Sequence, residues 1–268
     1  MNKLASCLFL FILCTSTVFP REIELHIPTT LESPSLYVYF HELLSASIKE
    51  AGHTPKLVVL ELPQLRTKEY LNSGEISIYW MIESEERNQR YEPIEVGITN
   101  GLIGKRILFI KKGSQSIYNA VKNLEDFRRL NQVAGMGKDW FDSKVWKANK
   151  LLYKEHSGLW TSIFKMIPKG RDYNYFARGL NEITEEAKQY PDLEVEKNLT
   201  LIYNRDFRFY LSKTGPKAGK KYRNILTQAM KKAKESGLIS QLVRKYWASD
   251  FEKLNYDKRV KIYLHTPE

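Results

Sequence analysis

The sequence predicts an α/β protein built as two lobes, the second inserted into the first. Three observations predict it. Strand-type and helix-type hydrophobic patterns alternate along the chain, the alternation starts afresh after Gly97 and Gly101, and the C-terminal part returns to two helices whose apolar stripes would cover the first lobe. A length of 268 residues suits one large domain or two lobes of ordinary size. With 43% hydrophobic and 27% charged residues the chain can build a real core, which excludes disorder over any long stretch. The expected division is residues 1–20 as a leader, 21–100 and 206–268 as the first lobe, and 101–205 as the second.

Residues 23–27 read as a strand. Ser33-Pro34 offers an N-cap and a first-turn proline for a helix whose stripe is Leu36, Phe40, Leu43, Leu44, Ile48 and Ala51, closed by Gly52. Residues 57–62 form a short apolar run of buried-strand type. After Gly74, Ile76, Ile78, Trp80 and Ile82 alternate as another strand. This βαβαβ order implies a parallel sheet with helices on its faces. Residues 107–110 restart the strand pattern, and Asn123 with Asp126 caps a helix carrying Leu124, Phe127 and Leu130. Gly135-Met136-Gly137 reads as a turn. Trp160, Ile163, Phe164 and Ile167 mark an amphipathic helix stopped near Pro168-Lys169-Gly170, and Leu180, Ile183, Ala187 and Tyr190 mark another, ended by Pro191. Two strand-like segments, 199–203 and 207–211, lead into the C-terminal helices, the last carrying Ile239, Leu242, Val243 and Tyr246. The chain crosses twice between lobes with no flexible linker, a joint that permits hinge closure around a ligand.

The first twenty residues stand apart. Lys3 is their only charge, residues 8–13 are apolar but too few to span a bilayer, and small polar residues follow, the pattern of a secretory signal peptide. Both cysteines, Cys7 and Cys14, fall inside it, so the exported chain is expected to contain no disulfide, thiol nucleophile or thiolate metal site. The net charge of +11 would suit nucleic acid, anionic lipid or an acidic ligand. Export argues against nucleic acid. The densest basic run, 217–234, carries Tyr222, Ile225, Leu226, Ala229 and Ala233 at helical spacing, so its lysines read as the wet face of an amphipathic helix.

The runs Leu71-Asn72-Ser73-Gly74-Glu75-Ile76-Ser77, Glu83-Ser84-Glu85-Glu86-Arg87 and Gly101-Leu102-Ile103-Gly104 resemble the bacterial extracellular family 3 solute-binding proteins. So do Gly135-Met136-Gly137-Lys138-Asp139-Trp140, Phe164-Lys165-Met166-Ile167 and Gly170-Arg171-Asp172, in order over nearly all of the chain after the leader. Phe176-Ala177-Arg178-Gly179-Leu180-Asn181-Glu182 looks like one subgroup of them. The resemblance implies a two-lobed periplasmic-binding-protein-like (type II) fold with an interlobe cleft. It further implies a periplasmic location, an amino-acid-like ligand, and either delivery to an ABC-type transporter in the inner membrane or a sensing role.

It also implies site residues. Ser84-Glu85-Glu86-Arg87 matches the pattern in which an arginine clamps a ligand carboxylate, a task that suits a planar, permanently charged fork. The alternative for Arg87 is a surface ion pair with Glu83, Glu86 or Glu92. Gly137, Lys138 and Asp139 fall where family members offer backbone N–H groups to the ligand's anionic end. Family members usually place an acidic residue where this chain has Arg178, and a guanidinium cannot accept an ammonium hydrogen bond. Two arginines facing one cleft would favour a ligand with two anionic groups or one strong one, with Glu182 as a nearby acceptor. The alternative is that Arg178 is a structural partner of Glu182 or Glu185. Tyr37, Tyr79, Trp80 and Trp140 are candidates to stack on the ligand body, whereas Trp160 and Trp247 read as core.

No catalytic constellation, cofactor motif or metal-ligand spacing is found among the five histidines and the acidic pairs. The expected protein is a monomeric binder of a small polar or anionic ligand, not an enzyme. A ligand sensor without a transport role, or a dehydratase-like enzyme on the same fold, are the alternatives.

Overall fold

The computed structural model describes residues 20–29, 35–63 and 66–268. The expected signal peptide with its two cysteines and the Ser33-Pro34 cap lie outside the described residues, Pro20 excepted. Among the described residues no helix is long and apolar enough to cross a membrane.

The first lobe opens with strand β1 (Glu22–Thr29), which buries Ile23, Leu25 and Ile27. Helix α1 (Ser35–Glu50) buries Tyr37, Phe40, Leu43, Leu44 and Ile48 along one stripe, the i, i+3, i+4 spacing of a helix with a single covered face. Gly52, at φ 86°, ends it in the left-handed region. Strand β2 (Thr54–Glu61) runs parallel to β1 over all eight residues. The sequence suggests a buried strand here, but β2 pairs on one side only and Val59 is 49% exposed, as suits an edge.

Helix α2 (Thr67–Ser73) ends at Gly74, whose φ is 72° and whose missing Cβ leaves room for the Thr214 carbonyl. Strand β3 (Ile78–Ile82), helix α3 (Glu85–Arg90) and the short β4 (Glu92–Pro93) follow. Ser84 caps α3 by accepting the Arg87 N–H. The expected all-parallel sheet is not what forms. Strand β3 pairs antiparallel with β11 (Phe207–Leu211), and β11 pairs antiparallel with β4. Ser77 places β3 beside β1, its N–H donating to the His26 carbonyl at 2.7 Å and its hydroxyl accepting the His26 N–H at 3.0 Å. Two long helices, α8 (Arg223–Glu235) and α9 (Leu238–Lys253), pack on α1. In α8, Leu226, Ala229, Met230 and Ala233 are buried, while Lys231, Lys232 and Lys234 face out.

The second lobe is one mixed sheet in the order β12-β10-β5-β8-β6-β7. Its strands are β5 (Lys105–Lys111), β6 (Ala134–Gly137), β7 (Tyr153–His156), β8 (Tyr175–Gly179), β10 (Leu199–Ile202) and β12 (Val260–Tyr263), with β9 (Leu193–Val195) added along β5. Helices α4 (Leu124–Arg129), α5 (Phe141–Ala148), α6 (Ser162–Met166) and α7 (Leu180–Gln189) flank it. Asn123 caps α4 through the Asp126 N–H, as its position suggests. Three expectations change. Gly135-Met136-Gly137 belongs to strand β6, and the turn follows it at Lys138 to Trp140. The stripe from Trp160 to Ile167 is buried but holds only a five-residue helix. The last strand, β12, leaves the first lobe and pairs in parallel with β10, so the stretch from 206 to the end is shared between the two sheets.

The chain therefore passes between the lobes three times. The first two passages are bound to each other. The Ile98 N–H donates to Phe207 O at 3.1 Å, and Tyr203 N–H to Gly104 O at 3.0 Å. The Asp206 carboxylate accepts the Thr99 N–H at 3.1 Å, the Phe207 N–H at 2.8 Å and the Thr99 hydroxyl.

Candidate functional site

Between the lobes lies a cavity of about 450 Å³ lined from both sides. The first lobe contributes Tyr37 and Phe40 from α1, Lys68 from α2, Tyr79 and Trp80 from β3, and Arg87 from α3. Trp140, Trp160, Arg106, Arg178, Asn181 and Glu182 come from the second. This size lies within the range of small-molecule sites.

Of the residues singled out in the sequence, Tyr37, Tyr79, Trp80, Arg87, Trp140, Arg178 and Glu182 are brought together on this cavity. Gly137, Lys138 and Asp139 do not line it. The Lys138 N–H is already taken by the His156 carbonyl at 3.2 Å, and Gly137 lies against the Trp140 ring, where a Cβ would collide. Trp160 and Trp247, read as core, are buried and also line the cavity.

Arg87 sits in the first turn of α3. One guanidinium nitrogen donates to the Ile82 carbonyl, and no carboxylate among the described residues forms a salt bridge with it. Lys68 stands near it. Burial, then the Arg87 charge, lowers the Lys68 ammonium below the usual lysine range, and Asp139 of the other lobe pulls it back.

Arg178 differs in kind. It is the last residue but one of β8, is 4% exposed, and forms a bidentate pair with Glu186, Nη2 to Oε1 at 2.6 Å and Nε to Oε2 at 2.9 Å. Its Nη2 also lies 3.2 Å from Glu182 Oε2. Its guanidinium rests over the rings of Trp160 at 4.5 Å, Phe176 at 5.2 Å and Trp140 at 5.3 Å. The expectation of a second open guanidinium is thus corrected: two carboxylates match this charge. Glu182 was foreseen as a possible partner, but Glu185 instead pairs with Lys188 at 2.6 Å.

Arg106, which sequence reasoning missed, is 1% exposed at the start of β5. It holds Asp142 at 2.7 Å, the Tyr203 hydroxyl at 2.8 Å and Glu182 at 3.5 Å. The available signal was a charge leading straight into the apolar run from 107 to 110. Burial opposes the charge on both arginines, but the adjacent carboxylates outweigh it and raise both above the ordinary value. For Glu186, burial dominates and lifts the carboxyl above its usual range despite Arg178.

Glu182 is fixed from several sides. Its Oε2 accepts the Gly179 N–H at 2.9 Å, closing the N-terminus of α7, and faces both arginines, while Oε1 takes no part in these contacts. Beside it, Asn181 is 5% exposed and lines the cavity, and its Oδ1 has no hydrogen-bond partner among the described residues. Burial raises the Tyr79 hydroxyl above its ordinary range, while a hydrogen bond with Tyr37 opposes the shift. Among the described residues there is no cluster of three or more metal-ligating side chains.

No protein-family model and no curated protein matches the sequence. Solved structures do match in fold. An ancestral arginine-binding protein bound to glutamine superposes with a TM-score of 0.58 at 14% identity, covering 84% of this chain and 97% of the other. An amino acid ABC transporter substrate-binding protein from Streptococcus pneumoniae bound to L-arginine gives 0.58 at 12% identity, covering 84% and 94%. A putative L-cystine ABC transporter from Listeria monocytogenes gives 0.56 at 14%, covering 85% and 97%. At such identities the likeness is one of fold: two α/β lobes of the type II periplasmic-binding-protein kind around a cleft.

Proposed function

We propose that this chain, with its type II periplasmic-binding-protein-like fold, is a non-enzymatic solute-binding protein. It captures a small carboxylate-bearing ligand between its lobes and presents it to the permease of an ABC-type transporter. One observation carries the reading: on a cavity walled by both lobes, Arg106 and Arg178 are matched by carboxylates, whereas Arg87 and its neighbour Lys68 form no salt bridge among the described residues. An unmatched guanidinium on the wall of a cleft is suited to a ligand carboxylate. The solved neighbours, described as bound to glutamine and to L-arginine, support the same reading. The ligand then needs one anionic group rather than two. A periplasmic, monomeric protein exported through residues 1–20 belongs to this proposal.

The test is a thermal-shift screen of the protein against amino acids, dicarboxylates, aromatic acids and small phosphates, since a ligand that binds only the folded state raises its melting point. A carboxylate should score, and Arg87→Ala should remove the shift. A hit that survives Arg87→Ala, or an empty screen, would refute the proposal.

A further inference from the structure

The walls of the cavity are unusually aromatic. Eleven of its twenty-six lining residues are Phe, Tyr or Trp, against 12% of the whole chain, so chance composition does not account for them. In the first lobe, Tyr37 meets Trp80 edge-on at 4.8 Å, and Tyr79 lies 5.1 Å from the same ring. Trp140 and Trp160 lie 5.6 Å apart in the second lobe. Arg178 belongs to that second group. Its charge is held by Glu182 and Glu186, and its planar guanidinium covers the tryptophan faces, extending the flat surface rather than projecting an open charge.

We infer that the ligand is a carboxylate carried on a planar aromatic or heteroaromatic ring, held with the ring between Tyr79/Trp80 and Trp140/Trp160 and the carboxylate at Arg87. This rests on the solute-binding reading above and narrows its ligand class. The unmatched charges, Arg87 and Lys68, belong to one lobe; Arg106 with Asp142, Arg178 with Glu182 and Lys253 with Asp250 pair among themselves, and much of the remaining wall offers aromatic faces. A flat ring matches those faces by offset stacking, while a saturated chain of equal size gains burial alone.

The experiment is calorimetric titration of the full chain with phenylacetate, cyclohexylacetate, indole-3-acetate, L-glutamine and L-arginine. Phenylacetate and cyclohexylacetate carry the same carboxylate and rings of similar size but differ in planarity. Phenylacetate should bind about 3- to 10-fold more tightly, and Trp140→Leu should erase that ratio. The ratio in the unsubstituted protein decides the matter even where the variant does not fold. Equal binding of the two, or binding of glutamine or arginine with neither aromatic acid, would overturn the inference while the solute-binding reading stands. If none of the five binds and the broad screen is also empty, both fail. A hit only on a non-aromatic compound of that screen removes the aromatic assignment alone.

Discussion

Arg178 and Glu186 form a two-pronged ion pair in the wall of the cleft, with contacts of 2.6 and 2.9 Å and side chains 4% and 5% exposed. Removing one partner strands the other charge out of water. Arg178→Met should therefore cost about 3–5 kcal/mol of unfolding free energy, read by urea denaturation. The double variant Arg178→Met with Glu186→Leu should recover much of the loss, because Glu182 keeps Arg106 and the Gly179 N–H. Additive losses would show that the two side chains act separately.

The same burial sets a pH dependence. Because Glu186 titrates above its ordinary 4.5 in the folded state, the unfolded chain gives up this proton first as pH rises. Between 4.5 and the raised folded value the folded state binds more protons, so this group's contribution to stability falls with rising pH across that window and levels off beyond it. Relative to Glu186→Gln, which does not titrate, the unsubstituted protein should lose ground as pH rises through that window. A difference that stays flat with pH, measured by urea denaturation of both proteins, would contradict the assignment.

Arg87 should behave in the opposite way to Arg178. Its recorded bond is to the Ile82 carbonyl, and no buried carboxylate depends on it. Arg87→Ala should change the ligand-free stability by about 1 kcal/mol or less while weakening ligand binding at least ten-fold. Arg87→Lys should restore part of the affinity, since the charge returns without the fork. Melting curves with and without ligand separate the two effects.

At the joint between the lobes, Thr99 donates both its N–H and its hydroxyl to Asp206, whose carboxyl burial lifts above its usual range. Thr99→Val keeps the shape and removes one donor. A loss of about 1–3 kcal/mol is expected, measurable by chemical denaturation. Ligand affinity should change as well if the joint sets the closed geometry.

Much of the architecture could be read before the structure, because burial writes a period into the sequence. The stripes of α1, α7 and α9 and the strand β1 appear where expected, whereas β3 does not alternate, because Met81 is buried along with Trp80 and Ile82. Periodicity encodes which face is covered, not which strand covers it. The pairing of β3 with β11, more than 120 residues away, was therefore hidden, as was the return of β12 to the second sheet. Candidate residues followed the same logic. Arg178 with Glu182 could be inferred from a spacing of four. Choosing Glu186 over Glu185 required the phase of α7, which is fixed by where Gly179 starts it. Arg106 and Asp142 are 36 residues apart and meet only in the folded chain.

Strand β12 has one further consequence. It covers the outer side of β10, and Arg259 fastens the approach to it through the Leu199 carbonyl at 2.8 Å. Were this strip of four residues lost, β10 would present a naked row of amide and carbonyl groups to solvent, an invitation for another molecule to add its own strand. With β12 in place the sheet runs one strand further, its open edge is this four-residue strand, and the segment ties the two halves of the molecule together.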